Sequence, residues 1–206
     1  MTQRGTRTRE LILAKATELV TRQGFAATSI HDLLASTGVN RGSLYFHFPG
    51  KDDLGIAVLE RTREEFIEFL ESSLAGRSPG SRLEHFVRAA LKTHRDKGFV
   101  GGCLWGNTTL EMSDRDADPR YLAVVRDMFA RWKAMLVQVI ADAQKTREVR
   151  SDLSAKSLAT HVIASIEGGI MLSRLEKSAA PMATCLDSLR HALQLKPTPS
   201  STGGGR

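Results

Sequence analysis

The 206-residue chain has only two cysteines, Cys103 and Cys185. Two thiols are too few for a disulfide framework, and their spacing matches no metal-ligand pattern, so both are expected to be reduced thiols. No apolar run approaches the ~18 residues that a membrane-spanning helix needs. The opening MTQRGTRTRELILAKATELV has a basic start, but Glu10, Lys15 and Glu18 interrupt its apolar part. That pattern argues against a secretory signal, and a cytoplasmic protein without a membrane partner is the expectation. No stretch alternates apolar and polar residues long enough for a strand, and no internal repeat is evident. Catalytic acids, metal clusters and cofactor motifs are also missing, so no catalytic, metal or cofactor site is expected.

What remains is a basic protein with helical periodicity. Hydrophobic residues make up 41% and charged residues 25%, an ordinary balance for a globular chain. The net charge of +6 is unevenly spread. Residues 1–51 carry seven Lys/Arg (Arg4, Arg7, Arg9, Lys15, Arg22, Arg41, Lys51) against three acids (Glu10, Glu18, Asp32). Residues 52–206 carry 22 against 20. A basic first quarter on a nearly neutral body suits a head that binds a polyanion, although a solvated basic surface gives the same count.

Residues 7–23 place Ile12, Ala16, Leu19 and Val20 on one helical face, and Gly24 is suited to stop that helix. Thr28 and Ser29 can cap a second helix with Ile30, Leu33 and Leu34. Gly38 breaks it, and residues 39–46 allow about two further turns. Asp52 and Asp53 open a longer helix to about Leu74, ended by Gly76, Pro79 and Gly80. Further helices are expected near 82–97, 104–113, 120–146, 154–176 and 182–194. The tail KPTPSSTGGGR is Pro/Gly/Ser/Thr-rich, and a disordered segment is expected there.

Short helices are marginal alone, but three joined by tight turns can share one core. Ile12, Leu19, Val20, Phe25, Ile30, Leu33, Leu34, Val39, Leu44 and Phe48 would form it. The segments 29–35 and 40–46, joined through Ser36-Thr37-Gly38-Val39, read as a helix-turn-helix whose second helix presents its N-terminal side chains to the major groove.

The stretch GFAATSIHDLLASTGVNRGSLYFHFPGKDDL resembles the DNA-binding region of TetR/AcrR-type transcriptional repressors. The likeness is dense over residues 8–59 and rests on the Gly-Phe…Thr-Ser opening, the Gly-Val-x-Arg-Gly-Ser-Leu-Tyr helix and the His-Phe-Pro-x-Lys run. It implies an all-α protein: a DNA-binding domain at 1–50, a helical ligand-binding and dimerisation domain at 51–195 and a tail at 196–206. It also implies a homodimer, a double-stranded DNA operator and a small-molecule effector. By position, Asn40, Arg41, Gly42 and Ser43 begin the recognition helix. Arg41 can fork onto a guanine edge or a phosphate, and Asn40 can reach an adenine. Gly42 allows close backbone approach. Tyr45 and His47 match phosphate-contacting positions of the family, and Lys51 is a further phosphate partner. Thr28 supplies a hydroxyl, above free N–H groups at a helix N-terminus. Phe46 stands where the family often has Tyr, His or Trp, and lacks a donor. The arm Arg4-Arg7-Arg9 can enter the minor groove or remain a solvated, frayed end, the latter being expected.

The segment GGCLWGNTTLEMSD contains Gly-Cys-Leu-x-x-Asn. This resembles a branch of the same family whose cysteine lies at a helix start beside the ligand cavity, where some members sense electrophiles or oxidants. A thiol at a helix N-terminus ionises more readily, which makes Cys103 a candidate sensor, with packing as the competing role. Phe99, Trp105, Asn107, Met128, Trp132 and Met171 are further ligand-binding candidates; each can equally be core. Small residues at Ala159, Ala164, Gly168 and Gly169, together with the final helix, resemble the family's four-helix dimer interface. Two alternatives stand beside the repressor. One is an architectural or activating DNA binder without effector release. The other is an enzyme with Cys103 as nucleophile and His94 as base.

Overall fold

The computed structural model describes residues 3–113 and 117–195. The expected disordered tail at 196–206 lies outside the described residues. Among those residues there are nine helices and no strand: α1 (Gln3–Gln23), α2 (Ile30–Thr37), α3 (Arg41–His47), α4 (Lys51–Ser73), α5 (Pro79–Asp96), α6 (Leu104–Ser113), α7 (Pro119–Lys145), α8 (Ala155–Glu176) and α9 (Ala180–Leu193). The all-α expectation holds. The helices form two compact units. One takes the chain up to Phe69 together with Gly98–Arg131; the other takes Leu70–Lys97 and the chain from Trp132 onward.

In the first unit α1 packs on α2 and α3 through a small core. Ile12, Leu19, Val20, Phe25, Leu33, Leu44 and Phe48 are buried as expected, while Ile30, Leu34 and Val39 are half-buried at its edge. The first half of α7 belongs to the same unit. Tyr121 lies edge-on to Phe25, with ring centroids 5.2 Å apart. Its hydroxyl bonds Asp52, and burial first, then the Asp52 charge, holds its pKa above the usual phenol range. Gly55 has no side chain because the Tyr121 oxygen occupies the space: a Cβ there would lie 2.0 Å from it. Arg120 bonds Asp53 at 3.0 Å.

In the second unit α8 packs along α9, and α5 on α9. Gly169 permits the close α8–α9 approach, since a Cβ would sit 3.2 Å from Met182 Cα. Gly168 faces open space instead. Arg190 forks onto Glu84 at 2.9 and 3.0 Å, tying α9 to α5. Along α8 an apolar strip of Ala164, Met171, Leu172 and Leu175 is exposed.

Two helix boundaries differ from the sequence expectation. Pro79 and Gly80 begin α5, because Ser78 caps it through Ser81 N–H and proline is tolerated in a first turn. The basic segment Arg4-Arg7-Arg9 is not a frayed arm: α1 starts at Gln3, and the Arg9 guanidinium lies over the Phe48 ring, 5.0 Å from its centroid.

Candidate nucleic-acid interface

Local chemistry builds the α2–turn–α3 segment. Ser29 Oγ accepts the Asp32 N–H at 3.1 Å, and the Asp32 carboxylate accepts the Ser29 N–H at 3.0 Å, forming a capping box. Hydrogen bonds from Ser29 hold the Asp32 carboxyl below its ordinary range. Gly38 ends α2 at φ 68°, a left-handed conformation in which its N–H reaches Leu34 O at 2.9 Å. Two residues later Asn40 caps α3, its Oδ1 accepting the Ser43 N–H at 2.8 Å. Leu44 and Phe48 anchor the seven-residue α3 from below.

The opposite side of α3 faces outward. Arg41 and Gly42 are exposed, Ser43 is half-buried, Tyr45 is 40% exposed, and Lys51 is exposed at the start of α4. His47 is half-buried, with its ring edge-on to Phe46 at 5.1 Å. The packing of the protein does not demand glycine at 42: a Cβ would meet only Asn40 Oδ1, at 3.4 Å. The segment thus presents one guanidinium, one ammonium, a phenol, an imidazole and a hydroxyl around the start of a short helix. Such a set can donate to phosphate oxygens and to acceptor edges of bases.

Two side chains on this face are committed within the fold. Thr28 is 2% exposed, and its hydroxyl donates to Gly24 O at 2.7 Å. It ties the α1–α2 turn rather than offering itself to a phosphate. Asn40 uses its side-chain oxygen to cap α3 and keeps the amide nitrogen as its outward donor. Phe46, without a donor, is the most exposed aromatic of the segment at 78%. Its position on an amphipathic two-turn helix was the available signal.

The effector-side candidates divide between the two units. Phe99, Cys103, Trp105 and Met128 are buried in the first, and Asn107 is half-buried there. Phe66 of α4 lies between Trp105 and Phe69, at 6.1 and 6.0 Å. Cys103 immediately precedes α6, its carbonyl accepting the Asn107 N–H at 2.9 Å, and Asn107 Nδ2 donates to Gly101 O. Trp132 is buried in the second unit against Phe86, at 6.4 Å. Met171 is 60% exposed and belongs to the outer strip of α8, not to a buried lining. Cys185 is half-buried on α9. Burial above all, then Lys97, lowers the His94 pKa to about 4.

The first unit also joins the reading head to α6. Glu111 Oε2 accepts the Ala26 N–H at 2.8 Å. Gly101, at φ +80°, lies so close to the end of α1 that a Cβ would stand 2.0 Å from Thr21 O. Neither contact was visible in the sequence, because each joins residues about 80 positions apart. Among the described residues no His/Cys/Asp/Glu group could hold a metal ion, and no helix is long and apolar enough to cross a membrane.

Comparison with known proteins agrees with this geometry. Residues 12–58 match the family of bacterial regulatory proteins of the tetR family, and residues 79–189 match the tetracyclin repressor-like C-terminal domain. The chain is 31% identical over 170 residues to the transcriptional regulator AcuR of Cereibacter sphaeroides, covering 80% of this chain and 75% of AcuR. It is 28% identical over 187 residues to the transcriptional repressor DhaR of Mycobacterium sp. (strain GP1), covering 90% and 91%. A TetR transcriptional regulator from Chloroflexus aurantiacus has the same fold, with TM-score 0.83 and 29% identity over 94% of this chain and 97% of that one. These relatives are regulators of transcription, not enzymes, which sets aside the reading of Cys103 and His94 as a catalytic pair.

Proposed function

This chain belongs to the TetR family of transcriptional regulators, and we propose that it is a ligand-responsive cytoplasmic repressor that binds a pseudo-palindromic DNA operator as a homodimer. The observation that carries the reading is the outward face of α3: Arg41, Gly42 and Ser43 at its exposed start, flanked by Tyr45, His47 and Lys51. Arg41 reads a guanine edge or grips a phosphate, and Gly42 admits the DNA backbone. Tyr45, His47 and Lys51 hold the phosphates that set the register, with the Asn40 amide beside them. Two copies of α3 must enter successive major grooves, about 34–36 Å apart. The exposed strip on α8, with Met171, Leu172 and Leu175, supports pairing of two chains through α8 and α9.

The effector in this reading is a small hydrophobic or electrophilic molecule received near Phe99, Trp105, Asn107, Met128 and Trp132. Cys103, in its Gly-Cys-Leu-x-x-Asn setting, is the residue an electrophile would modify. For an α,β-unsaturated carbonyl, the Cys103 thiol gives its proton to water, its sulfur bonds the β-carbon as the C=C π bond opens, and the α-carbon takes a proton back from water. An effector releases DNA only by preferring the conformation that DNA does not, and a difference of about 1–3 kcal/mol is typical.

The test is selection of binding sites from a random duplex library at fixed salt, with and without N-ethylmaleimide. A single palindrome bound by a dimer is expected, with Arg41→Ala weakening it by about 1–3 kcal/mol if that side chain reads a base. Loss of binding on modification that disappears in Cys103→Ser supports the electrophile arm. Binding without sequence preference would replace the repressor by an architectural protein, and a site upstream of genes that the protein switches on would make it an activator.

A further inference from the structure

We propose that α6 grips the end of α1 at two points and that Glu111 is the positioning residue of this lever, passing the state of the Cys103–Asn107 segment to the α1–α2 turn of the reading head. The proposal rests on the reading of the chain as an effector-responsive DNA-binding protein, and it identifies the residue that carries the coupling.

The first grip lies just before α6. Gly101 sits at φ +80°, and its missing Cβ would fall 2.0 Å from Thr21 O and 3.0 Å from Thr21 C. Backbone therefore meets backbone at the last turn of α1. The Asn107 amide donates to Gly101 O from inside α6, and the Asn107 N–H bonds Cys103 O at 2.9 Å. These two bonds make the loop and the first turn of α6 one piece, so a group added near Cys103 moves the Gly101 contact with it.

The second grip lies about one helical turn beyond Asn107, roughly 6 Å along α6 at 1.5 Å of rise per residue. Glu111 reaches past the end of α1 and accepts the Ala26 N–H at 2.8 Å. A Cβ on Gly24 would stand 2.3 Å from Glu111 Oε1, so the carboxylate fills the space that glycine leaves. A carboxylate acceptor makes this a charge-assisted bond, stronger than a neutral one. From the turn the path into the head is short. The Gly24 carbonyl accepts the buried Thr28 hydroxyl at 2.7 Å, and the next residue, Ser29, caps α2. A rotation of α6 shifts the α1–α2 turn, and the turn carries the capped start of α2 with it.

A structural staple and a lever differ in one respect: a lever makes a change at the Asn107 end depend on the Glu111 end. The experiment is a double-mutant cycle on the full chain, read as Kd for the selected duplex at fixed salt. Asn107→Ala is expected to change Kd by about fivefold or more with Glu111 in place, and by less than about twofold in the Glu111→Ala background. Glu111→Gln keeps an oxygen acceptor and is expected to restore the coupling. Hydrogen exchange of the peptide containing Ala26 should speed up in Glu111→Ala and stay slow in Glu111→Gln. Should Glu111→Ala not fold, Glu111→Met, of similar length and without a strong acceptor, takes its place. Fold-changes that simply multiply, or an Asn107→Ala variant with unchanged Kd, overturn the lever while leaving the regulator reading intact. A wild-type protein that selects no site fails the regulator reading instead.

Discussion

The loop before α6 offers a paired test of backbone packing. Gly98 and Gly101 both adopt positive φ, +58° and +80°, but a Cβ on Gly98 would meet nothing within 4 Å, whereas one on Gly101 would stand 2.0 Å from a carbonyl oxygen. Alanine at either position incurs the left-handed strain of about 1–2 kcal/mol, partly offset by a stiffer unfolded chain worth about 0.4–1 kcal/mol. Gly98→Ala should therefore destabilise by about 1 kcal/mol. Gly101→Ala adds an overlap of about 1 Å with backbone, which cannot swing aside as a side chain can. Overpacking of this kind adds about 1–3 kcal/mol, for a total near 2–4 kcal/mol. In a chain of this size, about 1 kcal/mol moves Tm by roughly 2–4 °C. The assay is urea unfolding followed by circular dichroism, with a thermal scan beside it. Equal losses in the two variants, within about 0.5 kcal/mol, would show that Gly101 is kept for its φ alone and that the α1 contact yields freely.

Other outcomes follow from the same geometry. Ser29→Ala removes one half of the α2 capping box and should cost about 1 kcal/mol of stability, read as a lower urea midpoint with an unchanged slope. His94 is held neutral in the fold, with its pKa lowered from 6.5 to about 4, so the unfolded chain binds the proton first as pH falls. Stability is fully retained above about pH 6.5 and declines toward pH 4, by at most about 3 kcal/mol from this group. Replacing His94 with Gln should flatten that decline, and an unchanged pH profile would refute the assignment.

The helical frame was legible because its signals are local. Apolar residues recur at helical spacing, and Gly24 and Gly38 stop α1 and α2 at positive φ as their positions suggested. Where two local signals compete, sequence reading erred. Pro79 and Gly80 read as the end of one helix, but Ser78 upstream makes them the start of the next. The recognition face was visible through its motif, yet the use of each group was not. Thr28 has the chemistry of a phosphate ligand, and only the folded turn shows its hydroxyl bent back to Gly24 O. Glu111 carries no local signal of its role, since its partner Ala26 lies 85 residues away and offers only a backbone N–H.

Asn40 ties folding to evolvability. Its oxygen starts a seven-residue helix that cannot stand alone, so replacements at this position must first be able to cap. Few residues satisfy that condition: Asn, Asp, Ser, Thr and, less well, Gly. Each turns a different group outward: an amide donor, a negative charge, a hydroxyl or nothing. Drift at position 40 is thus confined to a handful of steps, each of which changes the outward chemistry while preserving the fold. Arg41, which caps nothing, is open to nearly any side chain, so relatives that diverge in the DNA they recognise should differ freely at the second position and in discrete jumps at the first.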